Sequence, residues 1–350
     1  MRIGILTFTA ADNYGAVLQA YALSHFLQSR DREVVCLDYR PRYLTNKKSF
    51  RIILHEVRQY GWKSIKSYIR TLLYHYQIKH RKNIFENFRS RFLPLVPFAE
   101  YEKQDMIIIG SDQVWNTKIT DGDAYFLGKF PDYKGIVASY AASMESVSEK
   151  NIDAIKSNIH HFDNISVREY SLQKVLHEQC NRASELVVDP TFLLSSKEWE
   201  NIEEPYKVAK PYMLAFVFGL TNAKKKQLDD LAKSKGLNLV VVLGRTTFFG
   251  QTADDCSPNQ LIYLVHHAEV VVTNSFHGLA FATIFKKRTC VIGKSTNERV
   301  INLLQMIDRK EALITSETEI TSSCFYQLSV QPDAMQSVLS VSKQFLTTIS

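Results

Sequence analysis

Five short polar stretches in this chain carry residue types that can do chemistry. They are Asp12-Asn13-Tyr14-Gly15, Gly110 to Asn116, Ser139 to Ser143, Val167-Arg168-Glu169 and Thr273 to Gly278. The last is the most informative. Val270-Val271-Val272 reads as a buried strand and Gly278 opens a helix, so His277 projects at a helix N-terminus. Backbone N–H groups and the helix dipole favour an anion there. A histidine at such a place donates to a phosphate or protonates a reacting atom; it can equally cap or pack. Arg168, at a strand end, can grip a carboxylate or phosphate with both arms, or pair with Glu169. Asp112 can act as a general base or shape its loop.

Other candidates carry less. The loop at Asn13 opens a helix but is no G-x-G-x-x-G, so a dinucleotide fingerprint is absent. Asp121-Gly122-Asp123 looks like the acidic pair of metal-dependent sugar-nucleotide enzymes, yet its setting reads as a turn. His160-His161 and His266-His267 fall on expected helices, where neighbours point different ways. They are read as packing or surface residues, and no metal site is expected. Cys36, Cys180, Cys256, Cys290 and Cys324 lie far apart with no C-x-x-C. This argues against a structural zinc, a disulfide framework or a thiol nucleophile, and for free thiols in a reducing cytoplasm.

The elements that must position these loops follow from periodicity. Apolar runs such as Ile3 to Phe8, Glu33 to Tyr39, Asp105 to Gly110 and Gly135 to Ala142 alternate with helical patterns such as Gly15 to Gln28 and Val147 to His161. That alternation predicts parallel βαβ units. Between 195 and 211 the composition turns polar, with Pro205 and Pro211, and the alternation then restarts. Its 350 residues exceed one ordinary core. The expected fold class is therefore α/β, with two Rossmann-like domains and a cleft between them. The expected bounds are 1–195 and 205–325, with a C-terminal helix over 330–350. Ligands of such sheets sit at the carboxyl ends of strands.

Charge is uneven. The chain carries +7, but residues 40–91 hold fourteen Lys/Arg against Glu56 and Glu86, a local +12. Apolar residues recur there at three- and four-residue steps, which predicts a basic amphipathic helical insertion over about 44–91. Two readings stand side by side: a helical insertion packed on its own domain, or a face that docks on an anionic membrane surface. No RNA-binding signature accompanies the charge, and no nucleic acid is expected. No apolar run approaches the ~20 residues that span a bilayer, and no signal peptide is visible.

Taken in order, the motifs resemble the polysaccharide pyruvyl transferase family. The matching stretches are Asn13-Tyr14-Gly15-Ala16 with Leu18 to Leu23, Ile109 to Asn116, Ser139 to Ser143, Ser166 to Glu169, Val188 to Thr191 with Trp199, and Thr273 to Gly278. They cover about residues 3–310. One departure is plain: many members read arginine-leucine-histidine-glycine where this chain has Ser275-Phe276-His277-Gly278.

The resemblance implies a GT-B-like architecture. It implies pyruvyl transfer from phosphoenolpyruvate to a sugar of a polysaccharide or a lipid-linked oligosaccharide, forming a cyclic ketal with no cofactor or metal. Such enzymes serve capsule or exopolysaccharide synthesis, in the cytoplasm or on the inner face of its membrane. Within that scheme Arg168 holds the donor, His277 is the acid and Asp112 the base. Ser275, Gly278 and Leu279 line the donor, the last two through backbone amides. Asn13, Tyr14, Gln113, Trp115 and Asn116 meet the acceptor, with Tyr14 or Trp115 stacking on it. Two alternatives stay open: a nucleotide-sugar glycosyltransferase using Glu298, and a non-catalytic partner in a polymer-assembly complex.

Overall fold

The computed structural model describes residues 1–30, 32–45, 65–144, 147–242, 250–294, 297–315 and 317–350, with 65–78 as backbone only. Two sheets organise the chain. The first contains β1 (Arg2–Leu6), β2 (Glu33–Asp38), β3 (Leu95–Pro97), β4 (Met106–Ile109), β5 (Ile136–Ala142), β6 (Asn164–Val167) and β7 (Glu185–Leu186). Their order is β3-β2-β1-β4-β5-β6-β7, and every pairing is parallel. All four residues of β4 are buried, as expected of a parallel strand covered on both faces.

The second sheet contains β8 (Tyr212–Phe216), β9 (Asn238–Val242), β10 (Gln251–Thr252), β11 (Val270–Thr273), β12 (Arg288–Ile292), β13 (Leu313–Ile314) and β14 (Tyr326–Gln327). Its order is β10-β9-β8-β11-β12-β13, parallel except for β14, which runs antiparallel to β12. The fold class is thus α/β with two Rossmann-like sheets. In each, strand order reverses between two central neighbours, β1/β4 and β8/β11. A crevice opens beyond their carboxyl ends. The loops after β1, β4 and β11 are three of the five polar stretches named above.

The polar stretch between the sheets is more than a connection. Trp199 in it is fully buried. Its indole N–H donates to the Thr191 carbonyl at 3.0 Å. Its ring meets Phe281 of the second domain edge-on at 4.9 Å and Tyr21 of the first at 5.6 Å. The last helix, Asp333–Ile349, returns to the first domain, where the Val188 amide donates to Ser342 Oγ at 2.9 Å.

Residues 46–64 of the basic segment, with Arg51, Arg58 and Lys63, lie outside the described residues. The described part is the short helix Arg42–Thr45 and one long helix, Ile65–Phe92. Its final turns face the protein. Phe85 and Phe88 are buried, and Arg89 is 1% exposed. Arg89 donates to the Thr9 and Ala11 carbonyls at 3.3 Å and to Asp12 Oδ1 at 2.9 Å. Arg81 donates to the Asp12 carbonyl at 3.3 Å and to the Asp254 carbonyl, in the second domain, at 3.4 Å. These two cations brace the loop after β1. Among the described residues no helix is long and apolar enough to cross a membrane.

Removing Arg89 leaves two carbonyls and a carboxylate without their donor. Arg89→Ala should cost about 3 kcal/mol in urea unfolding, while Lys82→Ala, at an exposed position of the same helix, should stay within about 0.5 kcal/mol.

Candidate functional site

Arg168 leaves β6 and is 4% exposed. A buried guanidinium needs counter-charge and acceptors, and the neighbouring strand ends supply them. Asp189, two residues after Val187, forms a short ion pair with Nη1. Ser143, beyond β5, accepts from Nη2 at 3.0 Å and donates to Glu169 Oε1 at 2.6 Å. Glu169 itself lies 3.5 Å from Arg168 Nε. The Phe276 ring of the second domain packs 4.4 Å from the guanidinium carbon, a cation–π contact across the domain boundary.

Asp189 is the hub. Its Oδ1 accepts from the Thr191 amide at 3.0 Å and hydroxyl at 2.8 Å, capping the turn Pro190–Leu193. Its Oδ2 accepts from Ser111 Oγ at 3.3 Å and lies 3.7 Å from His277 Nε2. Burial opposes its ionisation, but His277, Arg168 and the Thr191 amide hold its carboxyl well below the usual range. Glu169 goes the other way: burial pushes it up against the pull of Arg168, Ser143 and Arg299.

His277 reaches this hub from the second domain. Ser275 caps the helix Phe276–Ile284, its hydroxyl accepting from the Gly278 amide at 3.4 Å. Gly278 sits where a Cβ would come within 2.2 Å of Thr273 Oγ1. The imidazole lies directly over Gly15: a Cβ there would fall 1.9 Å from Nδ1. Gly15 is in the first turn of the helix Tyr14–Gln28, capped by Asn13, whose Oδ1 accepts from the Gly15 and Ala16 amides at 2.9 and 3.3 Å. The ring is therefore wedged between two helix N-termini and Asp189. Its Nε2 is buried with no hydrogen-bond partner among the described residues.

Asp112 stands on the other side of Arg168, with φ at 72°. Its Oδ1 is 4.0 Å from Arg168 Nη2 and 3.8 Å from Arg299 Nη1. Arg299 comes from the helix Glu298–Met306 of the second domain. The Gln113 side-chain amide lies 2.6 Å from Asn116 and 2.9 Å from the Arg299 guanidinium. A small open cavity borders the cluster, lined by Arg168, Asp189, Phe276, Arg299 and Asn302.

The structure thus brings His277, Arg168, Asp112, Ser275 and Gly278 together with Asn13 and Gln113. It corrects four other expectations. Trp115 is fully buried, donates to the Phe126 carbonyl at 3.0 Å and packs on Phe162, so it offers no face to a sugar. Tyr14 is 2% exposed and donates to the Cys256 carbonyl at 2.8 Å, which makes it an interdomain strut. Asn116 is buried and caps the turn Thr117–Thr120 through the Lys118 amide at 3.1 Å. The Leu279 amide is taken by the Ser275 carbonyl at 3.0 Å, and the Gly278 amide already donates to Ser275 Oγ at 3.4 Å, so neither is an open donor.

Elsewhere, Asp121-Gly122-Asp123 is a turn: Asp123 accepts from the Tyr39 and Tyr43 hydroxyls at 2.6 Å. Glu298, the residue of the glycosyltransferase alternative, accepts a short hydrogen bond from Ser171 Oγ. Burial pushes the thiols of Cys36, Cys256 and Cys290 up to about 12, which suits inert core residues.

Three contributors were not singled out by sequence reasoning. Asp189 had a signal, since it ends an apolar run as the other loops do. Gln19 had one too, as a polar residue inside an apolar helix. It is fully buried, donates to Thr7 Oγ1 at 2.8 Å and accepts from the Ser111 amide at 3.3 Å, joining the loops after β1 and β4. Arg299 had none; it reads as one more helix cation.

Two parallel α/β domains with a charged cluster where their strand ends meet define a two-domain Rossmann-like protein with an interdomain site. The chain belongs to the polysaccharide pyruvyl transferase family, whose model matches residues 13–295. That places it among transferases of polysaccharide biosynthesis. No curated protein matches it significantly. Among solved structures it is similar to a UDP-GlcNAc 2-epimerase from Methanocaldococcus jannaschii in complex with UDP-GlcNAc and UDP. The identity is 11%, the TM-score 0.49, and coverage is 100% of this chain and 99% of that one. A Neisseria meningitidis UDP-GlcNAc 2-epimerase bound to UDP-GlcNAc gives the same identity, coverage and TM-score. The E. coli ADP-heptose lps heptosyltransferase II is 12% identical over 100% of both chains, with a TM-score of 0.40.

Asp189→Asn should destabilise the protein by about 3 kcal/mol, because Arg168 stays buried without its closest counter-charge. The Asp189 carboxyl is depressed relative to the unfolded chain, where it titrates near ~3.9. It contributes stability that is complete above about pH 5 and is lost as pH falls toward its folded value. Urea midpoints measured from neutral pH down to about pH 3 should therefore show a shallower acid decline in the variant than in the wild type.

Proposed function

We propose that this chain transfers the pyruvyl group of phosphoenolpyruvate onto two hydroxyls of a sugar, on a polysaccharide or its lipid-linked precursor, and leaves a pyruvate ketal. The observation that carries this reading is the arrangement at the domain boundary. Two guanidiniums, Arg168 and Arg299, flank one carboxylate, Asp112, and a buried imidazole nitrogen without a hydrogen-bond partner among the described residues faces the same cluster.

Phosphoenolpyruvate is a small, highly charged anion, and burying it requires several donors. In the proposed complex its carboxylate or phosphate enters between Arg168 and Arg299 and replaces Asp112 as their counter-charge. The Asp112 carboxylate is then free to accept the proton of an acceptor hydroxyl. A leaving buried polar atom unpaired costs about 1–3 kcal/mol, so His277 Nε2 is best satisfied when it donates to the substrate. Asp189 at 3.7 Å supplies the negative charge that an imidazolium needs.

The step balances as follows. His277 gives a proton to the methylene carbon, which becomes a methyl group, and the central carbon becomes electrophilic. One sugar hydroxyl adds there and passes its proton to Asp112. The C–O bond to phosphate breaks, and the second hydroxyl closes the ring. The proton held by Asp112 leaves on the phosphate, which restores the carboxylate, and the proton of the second hydroxyl restores His277. Asn13, at the exposed rim, and Gln113 are the acceptor-side residues in this reading.

The experiment is phosphate release from phosphoenolpyruvate with a panel of glycosides and glycosyl lipids, with the product identified by mass spectrometry. His277→Gln should lower kcat by about 10²–10⁴ while keeping the wild-type circular dichroism spectrum. Arg299→Ala should raise KM for phosphoenolpyruvate about tenfold or more, the worth of one charge-assisted hydrogen bond. Stabilisation by UDP or CMP, with none by phosphoenolpyruvate, overturns the reading in favour of a nucleotide-sugar transferase. Full retention of function in His277→Gln favours a scaffold.

A further inference from the structure

A second cluster lies before the amino-terminal end of β11, a central strand of the second sheet. Glu203 belongs to the connection between the sheets, while His266 ends the helix Pro258–His266 and His267 caps it. His266 Nδ1 is 2.9 Å from Glu203 Oε2, and His267 Nε2 is 3.2 Å from Glu203 Oε1. All three offer ligand atoms within 4.8 Å of one another. The expectation that neighbouring helical histidines diverge fails here for a local reason. The helix ends between them, and His267 leaves helical geometry with ψ near 3°. Both rings then turn to one carboxylate, with centroids 4.6 Å apart.

The three groups are held from behind. His266 stacks on Phe285 at 4.6 Å and 17°, and His267 lies 4.2 Å from Tyr263. The connection that carries Glu203 is fixed on both sides of it: Asn259 Nδ2 donates to the Ile202 carbonyl at 2.6 Å, and the Glu204 amide donates to the Asn259 carbonyl at 3.3 Å. All three residues are partly exposed, so an ion can enter from solvent. Two imidazoles and one carboxylate suit a borderline divalent ion rather than magnesium or calcium. Three protein ligands leave a fourth tetrahedral position for water.

We propose that Glu203, His266 and His267 bind one divalent transition-metal ion of the Zn²⁺ type, which clips the interdomain connection to the second domain. The site stands apart from the His277 cluster: it lies before the start of β11, whereas His277 follows that strand's carboxyl end. It is independent of the proposed reaction.

The test is Zn²⁺ titration of the whole metal-free chain by calorimetry, with thermal unfolding at each Zn²⁺ concentration and Co²⁺ absorption as a reporter of ligand type. One equivalent should bind, and the midpoint should rise with Zn²⁺ concentration, because the ion binds the folded chain preferentially. Glu203→Gln and His267→Gln should each weaken binding tenfold or more while keeping wild-type circular dichroism without metal. His160→Gln should bind as the wild type does. Equal binding by Glu203→Gln and wild type, a thiolate charge-transfer band with Co²⁺, or no binding at all overturns the proposal.

Discussion

A guanidinium sealed from water must bring its counter-charge with it. Arg168 is such a group, and much of the site follows from how it is neutralised. Asp189, Glu169 and Asp112 are the three acids around it, and Ser143 Oγ accepts from its Nη2. These residues sit at the ends of different strands of one parallel sheet. The carboxyl ends of neighbouring parallel strands emerge side by side, which is what allows residues far apart in sequence to share one charge. His277 and Phe276 then close the cluster from the second domain. The buried pair Arg168–Asp189 belongs to the first domain, and Phe276, His277 and Arg299 of the second domain close on it and on Asp112, which sets the site between the two halves.

The surrounding elements hold that junction at a fixed distance. Trp199 wedges between Tyr21 and Phe281. Tyr14 spans to Cys256. Arg81 and Arg89 pin the loop that leads to Asn13. Gly15 leaves the space that the His277 ring fills. Each contact is modest, but together they leave the imidazole little freedom. The proton donor proposed at this position gains most from such fixed placement.

The α/β class was legible because buried parallel strands are continuous apolar runs. Asp105 to Gly110 reads as a strand, and β4 is Met106–Ile109; Glu33 to Tyr39 reads as one, and β2 is Glu33–Asp38. Edge strands were not legible. β3, β10, β13 and β14 are two or three residues long, too short for any period to register. Polar loops after apolar runs marked the site correctly as places, but residue type did not tell which side chains face outward. Trp115 follows the same strand end as Asp112 yet turns into the core. Arg299 stayed hidden because its partner, Asp112, lies in the other domain, and nothing in a single chain reveals such a pairing.

The most direct measurement is a structure of the chain crystallised with phosphoenolpyruvate. The account predicts an anionic group of the ligand between Arg168 and Arg299, Asp112 withdrawn from both, and His277 Nε2 within hydrogen-bond distance of the ligand. Ligand density elsewhere, with the contacts of Asp112 to both guanidiniums intact, would contradict it.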